Sequence, residues 1–143
     1  MTTNTKTDLR RKLRAQRVSL SPEQQAHSAR ALAQQVCNTR LFNVCRRIAC
    51  YLPADGEIDP AQVIDRIWRL NKICYLPVLS HVARDPLWFA PIEPGIRLQP
   101  NRFGILEPVV PARYRVRAQK LDLILLPLVG FDIAGRRLGM GKG

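Results

Sequence analysis

The sequence predicts an α/β fold: a three-layer, mostly parallel, Rossmann-like sheet with flanking helices. Two mostly apolar runs, Arg47–Leu52 and Ile73–Val78, lie on either side of a helical stretch. Strand, helix and strand within about thirty residues are typical of a parallel βαβ unit with a right-handed crossover. A third run, Leu121–Leu126, gives way to a Gly-rich, cationic segment. Because ligands bind at the carboxyl ends of parallel strands, we expect sites at residues 52–57 and 127–143.

The first predicted helix spans residues 7–17 and carries two stripes. Leu9 and Leu13 lie one turn apart and form a narrow apolar stripe. The basic stripe beside it has four members at spacings of three or four: Lys6, Arg10, Arg14 and Arg17. Without further context, these residues favour a solvated helix face.

The second predicted helix has a strong start signal. Ser21 is placed to cap it, Pro22 suits the first helical position, and Gln24 completes a capping box. We expect this helix to run to about Asn38 and to bury four residues: Ala26, Ala29, Ala33 and Val36.

Turn and capping residues mark the boundaries within the βαβ unit. Turn residues 54–57 follow the first strand, and Asp59-Pro60 repeats the combination of cap and proline at the start of the next helix. One face of this helix carries Val63, Ile64, Ile67 and Trp68. Asn71 is expected to end it.

The remaining elements are less regular. Leu87–Ile92 predicts a weaker strand, residues 93–111 are broken by prolines, and residues 113–120 fit either a short helix or a loop. No repeat or linker divides the chain, so we expect a single α/β domain over residues 1–143.

The composition is that of a globular protein with an unusual charge. Hydrophobic residues make up 46% of the chain and charged residues 24%, which argues against disorder. The formal net charge of +12 favours an acidic partner, such as nucleic acid, a membrane surface, nucleotide phosphates or a polycarboxylate. A basic nucleic-acid-binding domain is therefore one alternative, but the chain lacks interleaved aromatic residues or a recognition helix.

Location and redox state follow from what the sequence lacks. No apolar run approaches the ~18 residues of a membrane span, and the polar N-terminus has no signal-peptide core, so we expect a cytoplasmic protein. Four cysteines form no C-x-x-C pair: Cys37, Cys45, Cys50 and Cys74. We expect them to be reduced core residues, and we expect no metal site formed by this chain.

The segment Gly139–Gly143 alternates glycine with other residues but fits no common nucleotide motif. The span Gly135–Gly141 has one residue too many for G-x-x-x-x-G-K, and Gly143 replaces the Ser or Thr after the lysine. Alternate glycines let a backbone wrap around an anion, and Lys142 can add positive charge. The residues alone leave a phosphate loop and a Gly-rich turn both open.

Motifs along nearly the whole chain resemble a known family. The matching parts are Lys6–Arg10, Leu20-Ser21, Leu52, Glu57–Asp59, Lys72–Pro77, Gly104–Pro108 and Leu126–Gly143. In this order they resemble the 5-formyltetrahydrofolate cyclo-ligases, also called methenyltetrahydrofolate synthetases. The last block is the specific one.

The resemblance implies an ATP-dependent, magnesium-dependent ring closure. Members convert 5-formyltetrahydrofolate to 5,10-methenyltetrahydrofolate and release ADP and phosphate. The formyl oxygen attacks the γ-phosphate, N10 closes on the activated carbon, and phosphate leaves. Such chemistry needs cations and backbone donors rather than a nucleophilic side chain.

The resemblance also assigns roles to residues, and the basic stripe becomes a candidate phosphate site. The residues implied to bind ATP are Lys6, Arg10, Arg137, Leu138, Gly139, Met140, Gly141, Lys142 and Gly143. Lys142 and Arg137 are the implied catalytic residues. The implied folate contacts are Leu52, Glu57, Met140, Gly141, Lys142 and Gly143.

Several side chains keep two interpretations. Glu57 can accept hydrogen bonds from the N–H edge of a pterin ring or be a solvated turn residue. Asp132 is expected to fix its own loop rather than to act in catalysis. Trp88 and Phe89 fit either the folate site or the core.

The family loop continues with Tyr-Tyr-Asp, of which the Asp binds magnesium, and a further α/β portion follows. We therefore expect a member truncated at Gly143, poorly active or unstable by itself, with no metal ligand within this chain. A non-catalytic nucleotide- or folate-binding remnant is a further alternative. The expected partner is 5-formyltetrahydrofolate, with a polyglutamate tail attracted by the basic surface. A monomer without membrane contact is expected, and nucleic acid is the less favoured partner.

Overall fold

A computed structural model of the chain describes residues 5–79 and 87–140. The helices in these ranges are α1 (Lys6–Val18), α2 (Pro22–Cys37), α3 (Arg40–Val44) and α4 (Ala61–Arg69). The strands are β1 (Arg47–Ala49), β2 (Ile73–Val78), β3 (Trp88–Ile92), β4 (Leu98–Pro100), β5 (Leu106–Pro108), β6 (Val116–Arg117), β7 (Leu123–Ile124), β8 (Gly130–Phe131) and β9 (Arg137–Leu138). Of the helices described, none combines the length and apolarity that crossing a bilayer requires.

A five-stranded sheet in the order β6-β3-β2-β1-β7 forms the centre of the fold. β1 pairs in parallel with β2 and with β7, whereas β3 is antiparallel to both of its neighbours. Four strands therefore run in one direction, which confirms the predicted parallel βαβ unit and the mixed α/β class with a mostly parallel sheet and flanking helices. β1 is shorter than predicted, because the ladder ends before the turn that Pro53 begins.

Residues 93–111, predicted to be irregular, contain the β4–β5 hairpin. Its turn is held by Asn101, whose Oδ1 accepts from the N–H groups of Phe103 and Ile105 at 2.9 and 3.0 Å. Gly104 closes the turn at a positive φ of 75°. The prediction was wrong because Pro100 and Pro108 are the last residues of their strands, where a proline does not stop the pairing. Residues 113–120, left open as helix or loop, form β6 between short 3-10 turns at Ala112–Tyr114 and Ala118–Lys120.

Local capping explains where the helices begin and end. The capping box between Ser21 and Gln24 starts α2 as predicted. α4 begins one residue later than predicted: Pro60 is its N-cap residue, and Asp59 still accepts the Ala61 N–H at 2.9 Å. Asn71 ends α4 in the left-handed region, φ 54°, where a carboxamide residue is tolerated.

Alternate residues of β1 and β2 face two different clusters. Ile48 and Leu76 belong to the main core with α4, whereas Ala49 and Tyr75 pack with Phe89 on the other side. Three of the predicted α4 core residues, Val63, Ile64 and Ile67, are buried, and Trp68 is half-buried. Of the predicted α2 residues, Ala29 is buried and Ala33 and Val36 are partly buried. Ala26 is exposed, contrary to prediction, because the buried face of α2 begins one turn later.

The four cysteines are free, as predicted. Cys45, Cys50 and Cys74 are buried and Cys37 is half-buried. A hydrogen bond with the Cys74 thiol, together with burial, raises the pKa of Cys50. The Cys50 thiol therefore stays protonated, and the buried cysteines pack as small apolar side chains.

Two polar side chains hold the start of β1, and sequence reasoning identified neither role. Asp122 Oδ2 accepts from the backbone N–H groups of Arg46 and Arg47 at 2.9 and 2.8 Å. Lys72 Nζ donates to the carbonyl oxygens of Asn43 and Cys45. Together they fix the register between β1 and its two parallel neighbours.

Ile67→Ala should lower the free energy of unfolding by roughly 2–5 kcal/mol, because truncating a buried aliphatic side chain leaves a cavity. Ile67 is 0% exposed. Ile133→Ala is the control, because Ile133 is fully exposed, and it should change stability by less than about 0.5 kcal/mol. Urea denaturation measures both, and equal losses would contradict this placement of the core.

Asp122→Asn should reduce stability near neutral pH and flatten the loss of stability in acid. The N–H groups of Arg47 and Arg46 lower the pKa of Asp122 in the folded chain. A depressed pKa stabilises the fold above the unfolded value of about 3.9, and this contribution is lost as pH falls through the folded pKa. Asp65→Asn makes the same charge change on the exposed face of α4. Denaturation from about pH 6 to pH 2 tests the difference, and identical acid profiles for wild type and Asp122→Asn would refute it.

Candidate functional site

Helix α1 contacts both loops that follow the carboxyl ends of the parallel strands β1 and β7. None of its residues is buried. On the β1 side, Arg14 and Arg17 bond Asp55. On the β7 side, a Cβ atom at Gly130 would lie 2.6 Å from Leu13 Cδ1, so the backbone there passes directly against α1. The two segments predicted to form sites therefore meet at one helix.

A basic cavity of about 630 Å³ opens on one side of α1. Its lining residues are Thr7, Arg10, Arg11, Arg14, Ala15, Val18, Asp55 and Met140. Three guanidinium groups thus face a volume that can accept an anion. We name it the basic cavity.

Arg10 joins α1 to the start of the Gly-rich segment. Its Nε–H donates to the Gly139 carbonyl oxygen at 2.8 Å. The contact brings together three residues that the resemblance had implied to bind ATP: Arg10, Gly139 and Met140. Lys6 is exposed in the first turn of α1 and does not line the basic cavity.

A second cavity, of about 470 Å³, lies on the other side of α1 and is mainly apolar. It is lined by Gln16, Arg17, Leu20, Ser28, Leu32, Tyr51, Gly56, Glu57, Ile58 and residues 126–131. We name it the apolar cavity. Leu52, the other implied folate contact, packs instead against the main core and does not line this volume.

Glu57 both closes its own turn and faces the apolar cavity. Its Oε2 accepts from the Ala54 N–H at 3.0 Å, and its own N–H donates to the Ala54 carbonyl oxygen at 3.0 Å. Asp55 and Gly56, between them, have positive φ angles of 53° and 73°. Within the described residues, Oε1 of Glu57 has no hydrogen-bond partner, which leaves one oxygen able to accept from a ligand.

Tyr51 is a lining residue that sequence reasoning missed. Its hydroxyl donates to the Ile58 carbonyl oxygen at 2.6 Å, which holds the loop that carries Glu57. Burial, with a contribution from the Glu57 carboxylate, raises the pKa of Tyr51 to about 12. In the sequence Tyr51 belongs to the apolar run Arg47–Leu52. The only signal that placed it near the predicted site was the end of that run at Pro53.

The β8–β9 hairpin leads into the Gly-rich segment. Asp132 Oδ1 accepts from the N–H groups of Ala134 and Arg136, both at 3.0 Å, and these groups and the Arg136 side chain lower the pKa of Asp132. The prediction that Asp132 fixes its own loop is confirmed. Arg137 is exposed on β9 and lines neither cavity; Leu138 is half-buried. Gly141, Lys142 and Gly143 lie outside the described residues, so their implied roles stay predictions.

The aromatic pair of β3 lies elsewhere. Phe89 is buried with Ala49 and Tyr75, which supports the core interpretation. The Arg117 guanidinium stacks 3.8 Å from the ring centre of Trp88. Neither aromatic residue lines the basic or the apolar cavity.

Comparisons with known proteins show the family and the fold that this chain resembles. Residues 2–143 match the 5-formyltetrahydrofolate cyclo-ligase family. The chain is 36% identical to 5-formyltetrahydrofolate cyclo-ligase of Escherichia coli (strain K12) over 131 residues, 92% of this chain and 72% of the relative. It is 34% identical to the Haemophilus influenzae enzyme of that name over 143 residues, 100% of this chain and 76% of the relative. Aquifex aeolicus 5,10-methenyltetrahydrofolate synthetase has a similar structure, with a TM-score of 0.80, 30% identity, and coverage of 96% of this chain and 68% of that one.

Tyr51→Phe should remove a phenol titration near pH 12 and shift the loop that carries Glu57. Tyr51 has a pKa raised to about 12, because burial and Glu57 disfavour the phenolate. A raised pKa means that folding loses stability as pH rises above the unfolded value of about 10. The ultraviolet absorbance of phenolate during alkaline titration measures the ionisation of Tyr51. Tyr114→Phe, at a half-exposed ring, is the control; retention of the titration near pH 12 in Tyr51→Phe would contradict the assignment.

Proposed function

Because the chain belongs to the 5-formyltetrahydrofolate cyclo-ligase family, we propose that it catalyses the ATP-dependent conversion of 5-formyltetrahydrofolate to 5,10-methenyltetrahydrofolate, with release of ADP and phosphate. The observation that supports this most is the pair of cavities separated by one helix. One cavity carries three arginines and the other is mainly apolar. The reaction requires such a pair, since a polyphosphate and a pterin must be bound next to each other.

We propose that the basic cavity takes the nucleotide phosphates. Arg10, Arg11 and Arg14 supply positive charge there, and Arg10 also holds the start of the Gly-rich segment. In this proposal Lys142, Arg137 and the backbone N–H groups of residues 139–143 stabilise charge on the transferred phosphoryl group. Lys6 extends the same basic stripe one turn towards the N-terminus.

The metal requirement is a separate proposal. Within the described residues no group of three His, Cys, Asp or Glu side chains is placed to hold a metal ion. Magnesium that accompanies ATP is coordinated largely by phosphate oxygens and water, with one or two carboxylates. We therefore propose Mg²⁺ as a companion of ATP and assign it no ligand in this chain.

We propose that the apolar cavity takes the folate ring system. Apolar walls with a few polar groups are typical of sites for flat heteroaromatic ligands. Oε1 of Glu57 is available to accept from the N–H edge of the pterin, while Oε2 stays bonded within the turn. The formyl oxygen then attacks the γ-phosphate, N10 closes on the activated carbon, and phosphate leaves.

Two further proposals concern the tail of the substrate and the state of the protein in the cell. The formal charge of +12 would attract the polyglutamate tail that we expect on the substrate. We further propose a cytoplasmic monomer. Tail-length dependence of affinity at low salt tests the attraction of the polyglutamate tail. Cell fractionation tests the cytoplasmic location, and sedimentation tests the monomeric state.

Lys142→Ala should lower kcat by roughly 10²-fold or more, because it removes a charge that stabilises the transferred phosphoryl group.

Arg10→Ala should raise the KM for ATP about 10-fold, because it removes a guanidinium of the basic cavity. Lys12→Ala is the control: Lys12 is exposed on α1 and does not line the cavity. Absorbance of the methenyl product and release of ADP are measured together.

These outcomes separate the alternatives. Binding of both ligands without ADP release would indicate a non-catalytic remnant. Steeply salt-dependent DNA binding, with no spectral change on addition of ATP and 5-formyltetrahydrofolate, would indicate a nucleic-acid-binding domain. Unchanged kcat in Lys142→Ala would refute the role of that lysine.

A further inference from the structure

The basic cavity has a single carboxylate among its described lining residues, and that carboxylate is already bonded to an arginine of the cavity. Arg14 Nε donates to Asp55 Oδ2 at 2.8 Å, and Arg14 Nη2 lies 2.6 Å from the same oxygen. Arg17 Nη2 approaches it at 3.2 Å. Arg17 Nε also donates to the Asp55 carbonyl oxygen at 2.9 Å.

The two arginines differ in what else they can reach. The Arg14 side chain is 44% exposed and lines the basic cavity, whereas that of Arg17 is 13% exposed and lines the apolar cavity. Arg14 can therefore bond an anion that enters the basic cavity. Arg17 remains in place on the other side of the turn and keeps its two bonds to Asp55.

The turn that carries Asp55 does not need Arg14 to keep its shape. It is closed by the Glu57 N–H on the Ala54 carbonyl oxygen and by Glu57 Oε2 on the Ala54 N–H, both at 3.0 Å. Gln25 adds a bond from its Nε2 to the Gly56 carbonyl oxygen at 3.2 Å. Loss of the Arg14 bond would leave the Asp55 carboxylate at the cavity wall.

We propose that Asp55 is an internal counter-ion that competes with ligand phosphate for Arg14 and so lowers the affinity of the basic cavity for polyphosphates. The inference rests on the proposed function, in which this cavity takes the nucleotide phosphates. When a polyphosphate enters, Arg14 exchanges the Asp55 carboxylate for a phosphate oxygen, while Arg17 retains Asp55. The carboxylate then repels the bound anion at short range. When the anionic product leaves, the pair between Arg14 and Asp55 forms again, so Asp55 favours product release.

Asp55→Asn tests this, because the carboxamide oxygen can still accept from Arg14 and Arg17 but carries no charge. We expect the variant to bind inorganic tripolyphosphate roughly 3- to 10-fold more tightly than wild type at low ionic strength, measured by titration calorimetry. The gain should shrink as salt is added. Asp65→Asn changes net charge equally at an exposed site on α4 outside both cavities, and its affinity should match wild type.

A second measurement uses wild type alone. In ¹H–¹⁵N spectra of arginine Nε–H groups, tripolyphosphate should shift the Arg14 signal in a saturable manner and leave the Arg17 signal in place. Unchanged or weaker binding by Asp55→Asn overturns the inference, as does an Arg14 signal that does not respond. If wild type binds tripolyphosphate in those cases, the proposed function stands. If neither wild type nor Asp55→Asn binds it, both proposals fail.

Discussion

Bonds from arginine side chains link α1 to the loops that follow the parallel strands. The helix buries no residue, yet both cavities are bounded by it. Arg10 reaches the Gly139 carbonyl oxygen on one side, and Arg14 and Arg17 reach Asp55 on the other. Charge-assisted bonds of this kind are directional, so they set the orientation of the helix more narrowly than apolar contact would. The shape of the candidate site therefore depends on the same cations that we propose for ligand binding.

The sheet beneath provides the rigid part. Its central strands present alternate residues to two clusters, and buried groups such as Ile48, Ile67 and Leu76 are close to fully excluded from water. Asp122 and Lys72 fix the amino-terminal end of β1, opposite the candidate site. Stability and ligand binding are thus assigned to opposite ends of the same strands, as is common in parallel α/β folds.

Local signals in the sequence predicted most of the fold. The capping box at Ser21, the amphipathic face of α4 and the apolar runs of β1 and β2 each depend on neighbouring residues, and all are present. Features that depend on how side chains are placed in the folded chain were missed. Ala26 lies beyond the part of α2 that packs on the core, and Asn101 organises a hairpin through side-chain bonds that composition does not reveal.

The site was partly predictable for the same reason. The family motif identified Arg10, Glu57 and Met140, and each lines one of the cavities. It did not identify Tyr51 or the double bonding of Asp55 by arginines, because these follow from the way a loop and a helix approach each other in space. Leu52 and Arg137 line neither cavity, so the motif alone did not distinguish residues at the cavities from those behind them.

The contact between Arg10 and Gly139 spans 129 residues of sequence, which has a consequence for the order of folding. During synthesis α1 leaves the ribosome long before the segment it docks against, and contacts of such separation close late because the loop entropy must be overcome first. Until that segment has been synthesised, a helix with several arginines and few large apolar residues remains solvated. It therefore exposes little apolar surface that could aggregate. The composition that favours anion binding in the finished fold therefore also protects the nascent chain.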